Sequence, residues 1–468
     1  MKPGNAGGGK GPQFKDSAGS REVLEIGMSL KTPEKVQKLQ KALYAKAKGS
    51  PDYRFYLLYD KIYREDILAH AWCMARSNGG KAGVDGEDFP DIEAYGIERW
   101  LSELAQELKE KRYRAGPVRR VYIPKANGKQ RPLGIPTIRD RVVQTAAVLI
   151  LTPIFEPDLQ TEQYAYRAGR SAQDAVRHVH KLLNTGHTEV IDADLSGYFD
   201  SIPHAELMMS VARRISDRNL LSLIKQWLVM PVEEDDGRGG RKRTTQAKDK
   251  KIGIPQGAPI SPLLSNLYMR RFLLGWKTLG LEAHLQARIV NFADDFVICC
   301  QGTGEQAMEA MRKMMGRLKL TVNEEKTRRC QVPVSEFDFL GYTFGRCYSA
   351  KTGRSYLGTR PSKKSIKRVC RELSELTSGR WVMLRADDRV ARLNRLLVGW
   401  SNYFCLGPVS KAYRSVDKHA SKRLRQWLCK KHQQPGQGTA RYSDRYLYDT
   451  MGLQRLSVRT HNFPWAKA

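Results

Sequence analysis

The sequence predicts an α+β protein in which a small antiparallel sheet is backed by helices and followed by an all-α region of three helices. Three observations carry this prediction. In the stretch RIVNFADDFVICC, two short runs of β-branched and aromatic residues flank Asp294 and Asp295. Such runs favour a pleated, half-buried surface, and a short break between them marks a β-hairpin. Through the middle third, strand-like and helix-like stretches alternate in a βα…αββαβ order that suits a small sheet covered by helices. After Ser362 the strand patterns cease and only helical periodicity remains.

At 468 residues the chain is long for one core and should divide into several domains. Its formal charge of +31 implies a polyanionic partner. Over residues 351–468 Lys and Arg outnumber Asp and Glu 26 to 7, so the last quarter is a basic surface in its own right. A membrane is not expected as a partner, because the longest apolar run, 142–155, is short and broken by Gln144 and Thr145. The opening MKPGNAGGGKGP reads as a disordered Gly-rich tail over 1–30 and has no signal-peptide pattern. Eight cysteines without CxxC spacing suggest neither a zinc ribbon nor a disulfide framework, and they fit a reducing, cytoplasmic setting.

In chain order, apolar spacing predicts helices over 32–46 (Val36, Leu39, Leu43) and 53–76 (Phe55, Leu58, Ile62), each with a basic outer face. The glycine-rich 78–86 is a connection, and a helix over 92–112 aligns Ile97, Leu101, Leu104 and Leu108. A strand over 118–123 runs into a turn at Asn127-Gly128, flanked by Lys125, Lys129 and Arg131. Point charges and an arginine fork at a hairpin tip suit a triphosphate, although an ordinary solvated turn has the same composition. Helices over 140–155 and 171–183 follow, with Arg167 and Arg170 between them. In TEVIDADLSGYFDSI a buried strand over 190–195 carries Asp192 and Asp194 on one face, and Phe199 lies on the turn into a helix that begins near Pro203.

The polar run EEDDGRGGRKRTTQAKDKK, within 231–251, reads as a mobile loop rich in both charges. In KIGIPQGAPISPLLSNLYM, Gly257 lets another backbone approach and Ser261-Pro262 has the residue types of an N-cap and first helical position. Gln256 can hydrogen-bond a base or sugar, though a glutamine satisfied by backbone is the commoner case. A helix over 305–318, the VNEEKT segment with Lys326, and strands around a glycine turn in EFDFLGYTF complete the middle third. Of the three final helices, the first is capped by Ser362 and buries Ile366, Val369, Leu373 and Leu376. The second buries Val390, Leu393, Leu397, Trp400 and Phe404; the third buries Tyr413, Val416, Ala420, Leu424 and Trp427 and turns Lys411, Arg414, Lys418, Lys422, Arg425 and Lys430 outward. With few acids among them, phosphate contacts explain that face better than salt bridges.

Adjacent carboxylates repel, and near an apolar core they are costly unless a cation neutralises them. Asp also simply suits turns. A metal reading of Asp294-Asp295 requires a third carboxylate on a neighbouring strand, and Asp194 supplies it.

Taken together and in this order, IPKANGKQRPLGIP, DADLSGYFDSI, GIPQGAPISPLLSNLYM, NFADDFVICC, VNEEKT and FDFLGYTF resemble the motif blocks of reverse transcriptases. With LNRLLVGWSNYF downstream, the resemblance is to the group II intron-encoded reverse transcriptase/maturase family and covers residues 78–432. It implies a right-hand polymerase: an N-terminal helical extension over 31–86, fingers over 87–190, a palm over 191–350, a thumb with the maturase region over 351–432, and a short basic segment over 433–468. It implies two magnesium ions, replaceable by manganese, on Asp194, Asp294 and Asp295. It further implies a triphosphate clamp at Lys125 and Arg131, nucleotide contacts at Leu195, Phe199, Gln256 and Gly257, and a general acid at Lys326. The Phe199 ring would overlap the space of a 2′-hydroxyl. Phe339, Leu340 and Gly341 would form a primer grip, and Lys363, Lys364, Lys367, Arg368, Lys411, Arg414, Lys418, Lys422 and Arg425 would hold RNA. The implied partners are an intron RNA, an RNA-template/DNA-primer duplex, deoxynucleoside triphosphates and a DNA target. Phe292 departs from the family's usual Tyr-Ala-Asp-Asp box by loss of a hydroxyl, and without a cysteine-rich nuclease module second-strand cleavage is not expected. Two other readings are a free-standing relative in repair or defence and an RNA-binding splicing cofactor without polymerisation, the latter disfavoured by the intact carboxylate triad.

Overall fold

The apolar stripes of the first helices, Glu34–Gly49 and Glu65–Asn78, close over helix Ile138–Phe155, which is buried along nearly its whole length. These elements belong to a computed structural model that describes residues 31–124, 130–235, 240–349, 351–436 and 438–460. The predicted tail and the hairpin-tip residues Lys125, Asn127, Gly128 and Lys129 lie outside the described residues. Two predicted helices are each divided. In 53–76, only Tyr59–Ile62 and Glu65–Asn78 are helical. The Asp217 carboxylate accepts from the backbone N–H groups of Leu58 and Tyr59 at 2.8 Å each, and Phe55 bridges to Ile215. Tertiary contacts therefore hold extended a stretch whose periodicity alone reads as helix. In 92–112, helices Phe89–Tyr95 and Ile97–Lys109 meet at Gly96, whose φ of +105° ends the first; that first helix opens with an Asp88/Asp91 capping box.

Strands β1 (Val118–Pro124) and β2 (Gln130–Ile135) form the expected antiparallel hairpin. Palm strand β3 (Glu189–Ala193) comes next in the chain, and then the largest departure from the sequence prediction. The described part of 231–251 forms strands β4 (Val232–Asp235) and β5 (Arg241–Thr244) followed by helix Gln246–Lys250, where a mobile loop was expected. The physical reason lies in the charge pattern: the acidic arm pairs with the basic one, setting Glu233 against Arg243, Glu234 against Lys242 and Asp235 against Arg241. β4 also runs parallel to β1, so this hairpin widens the fingers sheet to β2-β1-β4-β5.

The palm sheet has the order β6-β7-β3-β8, entirely antiparallel, with β6 at Ala287–Phe292, β7 at Asp295–Cys300 and β8 at Arg328–Gln331. Both faces are covered, which is why its strands read as continuous apolar runs. Ile191, Ala193, Phe296 and Ile298 join a core with helices Ser261–Thr278 and Gly304–Arg317. Val190, Val297, Cys299 and Cys330 face a second core with helix Ala172–Asn184 and a sheet of β9 (Phe337–Phe339), β10 (Tyr342–Tyr348) and β11 (Ser355–Pro361). Ser261 does not cap its helix. Its hydroxyl donates to the Pro255 carbonyl at 2.7 Å, and the Gln144 side chain accepts from the Ile260 N–H.

The three expected helices, Lys363–Leu376, Ala386–Tyr403 and Ser410–Lys431, enclose a third core. Residues from 438–460 complete it: Leu447, Leu453 and Leu456 are buried there, and the Asp417 carboxylate accepts from the Leu456 and Ser457 N–H groups. Among the described residues no helix is long and apolar enough to cross a membrane.

Candidate active site

The register of the palm sheet assembles the acidic residues. Ala193 of β3 stands opposite Phe296 of β7, so Asp194, the next residue, comes level with Asp295 at the same end of the sheet. The hairpin break is one residue earlier than the sequence suggested. Phe292 pairs with Asp295, so the turn is Ala293-Asp294 and Asp295 opens β7. Ala293 adopts φ +60°, as a tight hairpin turn requires, and the Asn291 side-chain amide donates to its carbonyl at 2.8 Å.

A segment after helix Gly304–Arg317 lines the other side of Asp194. One Asp194 oxygen accepts from the Lys326 ammonium at 2.9 Å and from the Asn323 amide at 3.0 Å, while the Asn323 N–H donates to the Asp194 carbonyl. Asp192 is engaged separately by Arg328 at 3.2 Å. Partial burial pushes the Asp295 carboxyl up to about 6, and the charges of Asp294, Asp194 and Asp192 add to this against the opposing Lys326. The hydrogen bond to Asp194 holds the Lys326 ammonium above the ordinary lysine range. Among the described residues no three His, Cys, Asp or Glu side chains form a ready metal cage. The donor set nonetheless fits a hard divalent cation: the half-buried Asp194 and the exposed Asp294 and Asp295 are concentrated at one sheet end, with one carboxyl resisting ionisation beside its neighbours.

A set of hydrogen bonds joins the β1–β2 hairpin to the segments after β3 and before helix Ser261–Thr278. Arg131 donates to the Gln256 side-chain oxygen at 3.3 Å, and the Gln256 amide donates to Asp200 at 2.9 Å. The Gly134 N–H donates to the Gln256 carbonyl at 2.6 Å. Gly257, at φ +108°, approaches β2 so closely that a Cβ would stand 2.5 Å from the Gly134 carbonyl oxygen. Gln256 is thus a bridge between side chains of both subdomains, a role its residue type did not disclose. Phe199 is half-buried and set edge-on to Tyr198, whose hydroxyl donates to the Ser265 carbonyl at 2.7 Å; the Phe199 carbonyl accepts from Ile254. Leu195 differs from its neighbours, since its side chain is buried in the first core.

The turn between β9 and β10 holds Leu340 and Gly341 at φ +50° and +80°. Phe339 is buried beneath it. A Cβ on Gly341 would lie 3.0 Å from the Phe404 ring, and the Tyr403 hydroxyl donates to the Leu340 carbonyl at 2.9 Å. Tyr403 was not singled out from the sequence; its signal was the aromatic end of WSNYF. Lys363, Lys364, Lys367, Arg368, Lys411, Arg414, Lys418 and Lys422 are exposed. Arg425 is not an outward contact. It donates to the Tyr442 carbonyl, pairs with Asp444 at 2.6 Å, and its side chain is 13% exposed, because residues after 438 fold back over it.

Residues 123–344 match the family model described as reverse transcriptase (RNA-dependent DNA polymerase), and residues 366–447 match that of the group II intron, maturase-specific domain. Protein YkfC of Escherichia coli strain K12 is 34% identical over 369 residues, covering 70% of this chain and 93% of that protein. The chain belongs to the group II intron-encoded reverse transcriptase/maturase family. This reverse transcriptase, an RNA-directed DNA polymerase, carries its maturase-specific domain on the three C-terminal helices and the residues that follow them to 447. Group II intron-encoded protein LtrA of Lactococcus lactis subsp. cremoris is 32% identical over 216 residues, 46% of this chain and 34% of that protein. An uncharacterized 91 kDa protein in the cob intron of Schizosaccharomyces pombe is 24% identical over 419 residues, 74% of this chain and 50% of that protein. The chain thus spans nearly all of the first relative but half or less of the other two.

Proposed function

We propose that this reverse transcriptase extends a DNA primer along RNA at the end of the palm sheet, and that the same chain binds a group II intron RNA and assists its splicing and mobility. The observation that carries the polymerase assignment is the register that brings Asp194 level with Asp295 at the end of the sheet where the Asp294 turn lies. Asp194, Asp294 and Asp295 would hold two divalent cations, magnesium or manganese, which lower the barrier by stabilising charge on the attacking and leaving oxygens. The chain's own residues do the positioning. Arg131 offers its guanidinium to phosphate oxygens from the fingers side. Phe199, its backbone fixed by Ile254, sets the floor beneath the sugar. Lys326, hydrogen-bonded to Asp194, gives a proton to departing pyrophosphate in this reading. The Leu340-Gly341 turn, backed by Tyr403 and Phe404, holds the primer strand. The cysteine spacing, without CxxC pairs, suits a reducing, cytoplasmic setting.

Sugar selection tests the placement of Phe199. Phe199→Val should raise ribonucleotide relative to deoxynucleotide efficiency by roughly tenfold or more, since a steric gate works by exclusion alone. An unchanged ratio removes Phe199 from that role.

RNA binding through the thumb rests on the exposed row Lys411, Arg414, Lys418 and Lys422, unlike the tied-down Arg425. Binding should weaken steeply with salt as condensed counterions are released, and changing the four together to Gln should reduce the slope of log affinity against log salt by about 3. A slope equal to wild type would show that this face is merely solvated.

A further inference from the structure

The segment before helix Ala172–Asn184 is pinned at almost every residue. Tyr164 and Glu162 exchange backbone hydrogen bonds with Asn291 on the outer edge of β6, at 3.0 and 2.9 Å, three residues before the Asp294 turn position. The Gln163 amide donates to the Asn266 carbonyl and the Asn266 amide to the Ala165 carbonyl. Arg167, with a side chain 5% exposed, holds Glu156 and the carbonyls of Gln160 and Gln163.

Between Ala165 and Arg167 stands the exception. Tyr166 is 57% exposed and adopts φ +57°. A bulky L-residue is rare in that left-handed region, where glycine carries no steric penalty. The parallel Gln163–Asn291 bridge runs this segment alongside β6 towards the Asp294 turn, and burial first, then the charge of Asp294, holds the Tyr166 phenol above the ordinary tyrosine range while Arg131 opposes them. Tyr166 lies on the β6 side of the turn, across from Asp194. A solvent-facing ring forced into strained backbone by two buried anchors contributes little to folding, and strain of this kind persists where the surroundings over-determine it for another purpose.

We propose that Tyr166 is a positioning residue for the nascent base pair, its ring packing against the incoming deoxynucleotide and its template partner opposite the metal-binding carboxylates. An aromatic face is sequence-tolerant, as a polymerase that reads every template base requires. The inference rests on the polymerase assignment above and deepens it.

Glycine makes the test selective. Tyr166→Gly removes the ring and also relieves the φ strain, so the variant should melt at or above the wild-type temperature. On poly(rA) primed with oligo(dT), it should nevertheless raise KM for dTTP about tenfold with kcat within threefold of wild type, because stacking on an aromatic ring is lost. Tyr166→Phe should keep KM within twofold of wild type. A wild-type KM in the glycine variant overturns the proposal, as does a phenylalanine variant as impaired as the glycine one, which would assign the role to the hydroxyl. Failure of the wild-type protein to extend this primer would instead strike the polymerase assignment itself.

Discussion

Asp295→Asn should abolish primer extension, with a loss on the order of a thousandfold in kcat, while leaving the protein at least as stable as the wild type. The two expectations come from the same geometry. Asp295 stands level with Asp194 across β3 and β7 and beside Asp294, so an amide there withdraws one anionic ligand from the proposed cation site. It also removes a charge that its neighbours resist. The sign of the pH effect follows from the Asp295 carboxyl being held up to about 6 in the folded protein, above its ordinary value. Below the unfolded value, about 3.9, the group is protonated in both states and the variant should melt with the wild type. As pH rises to 6 the unfolded chain releases the proton more readily, and the wild type loses stability that the variant retains; above 6 the difference is constant. Added magnesium should raise the wild-type melting temperature and raise that of the variant less. Wild-type extension rates in Asp295→Asn would remove this residue from the site, whatever the melting data show.

What the sequence made legible was the part of the molecule in which local pattern and tertiary environment agree. The palm strands are apolar on both faces because both faces are covered, and the period-two spacing of Asp192 and Asp194 needed only a partner strand to become a site. The thumb's three stripes predicted its core for the same reason. Legibility failed where a long-range partner decided the outcome. β4 and β5 read as a loop because a charged segment has no apolar alternation; its strand character arises from an acidic arm facing a basic arm, and from the parallel pairing with β1. Asp217 keeps the chain before Tyr59 out of the helix, holding the Leu58 N–H from 159 residues away. Arg425 was read as outward because the helix alone leaves it so, until residues after 438 cover it. Gln256 and Tyr166 belong to the same class. Their types fit many settings, and only the approach of β2 and the pinning of residues on either side give them definite places.

Polymerisation and splicing assistance should separate by mutation, because they rest on different physics within one chain. Polymerisation requires charge concentrated at one sheet end. Splicing assistance requires that the folded protein bind the active form of the RNA more tightly than its alternatives, in this proposal through phosphate contacts spread over the thumb and the basic N-terminal helices. The double variant Asp294→Ala with Asp295→Ala should therefore lose cDNA synthesis while binding intron RNA as well as the wild type, or slightly better for want of two negative charges. Asp294 stands in the turn and Asp295 opens β7, and both residues are open to solvent, so the fold should survive. The converse variant, with Lys411, Arg414, Lys418 and Lys422 changed to Gln, leaves the carboxylates untouched. It should depress splicing, and it should depress cDNA synthesis only as far as the thumb holds the duplex. The measurement is paired: cDNA yield and spliced-exon yield from the RNA that flanks the reading frame, for both variants, with thermal melting as the control on folding. Loss of splicing in the double Asp variant with its melting temperature intact would show that the two activities share one site. Absence of splicing by the wild-type protein on its flanking RNA, with cDNA synthesis present, would favour a free-standing polymerase that retains the maturase domain as a duplex-holding thumb.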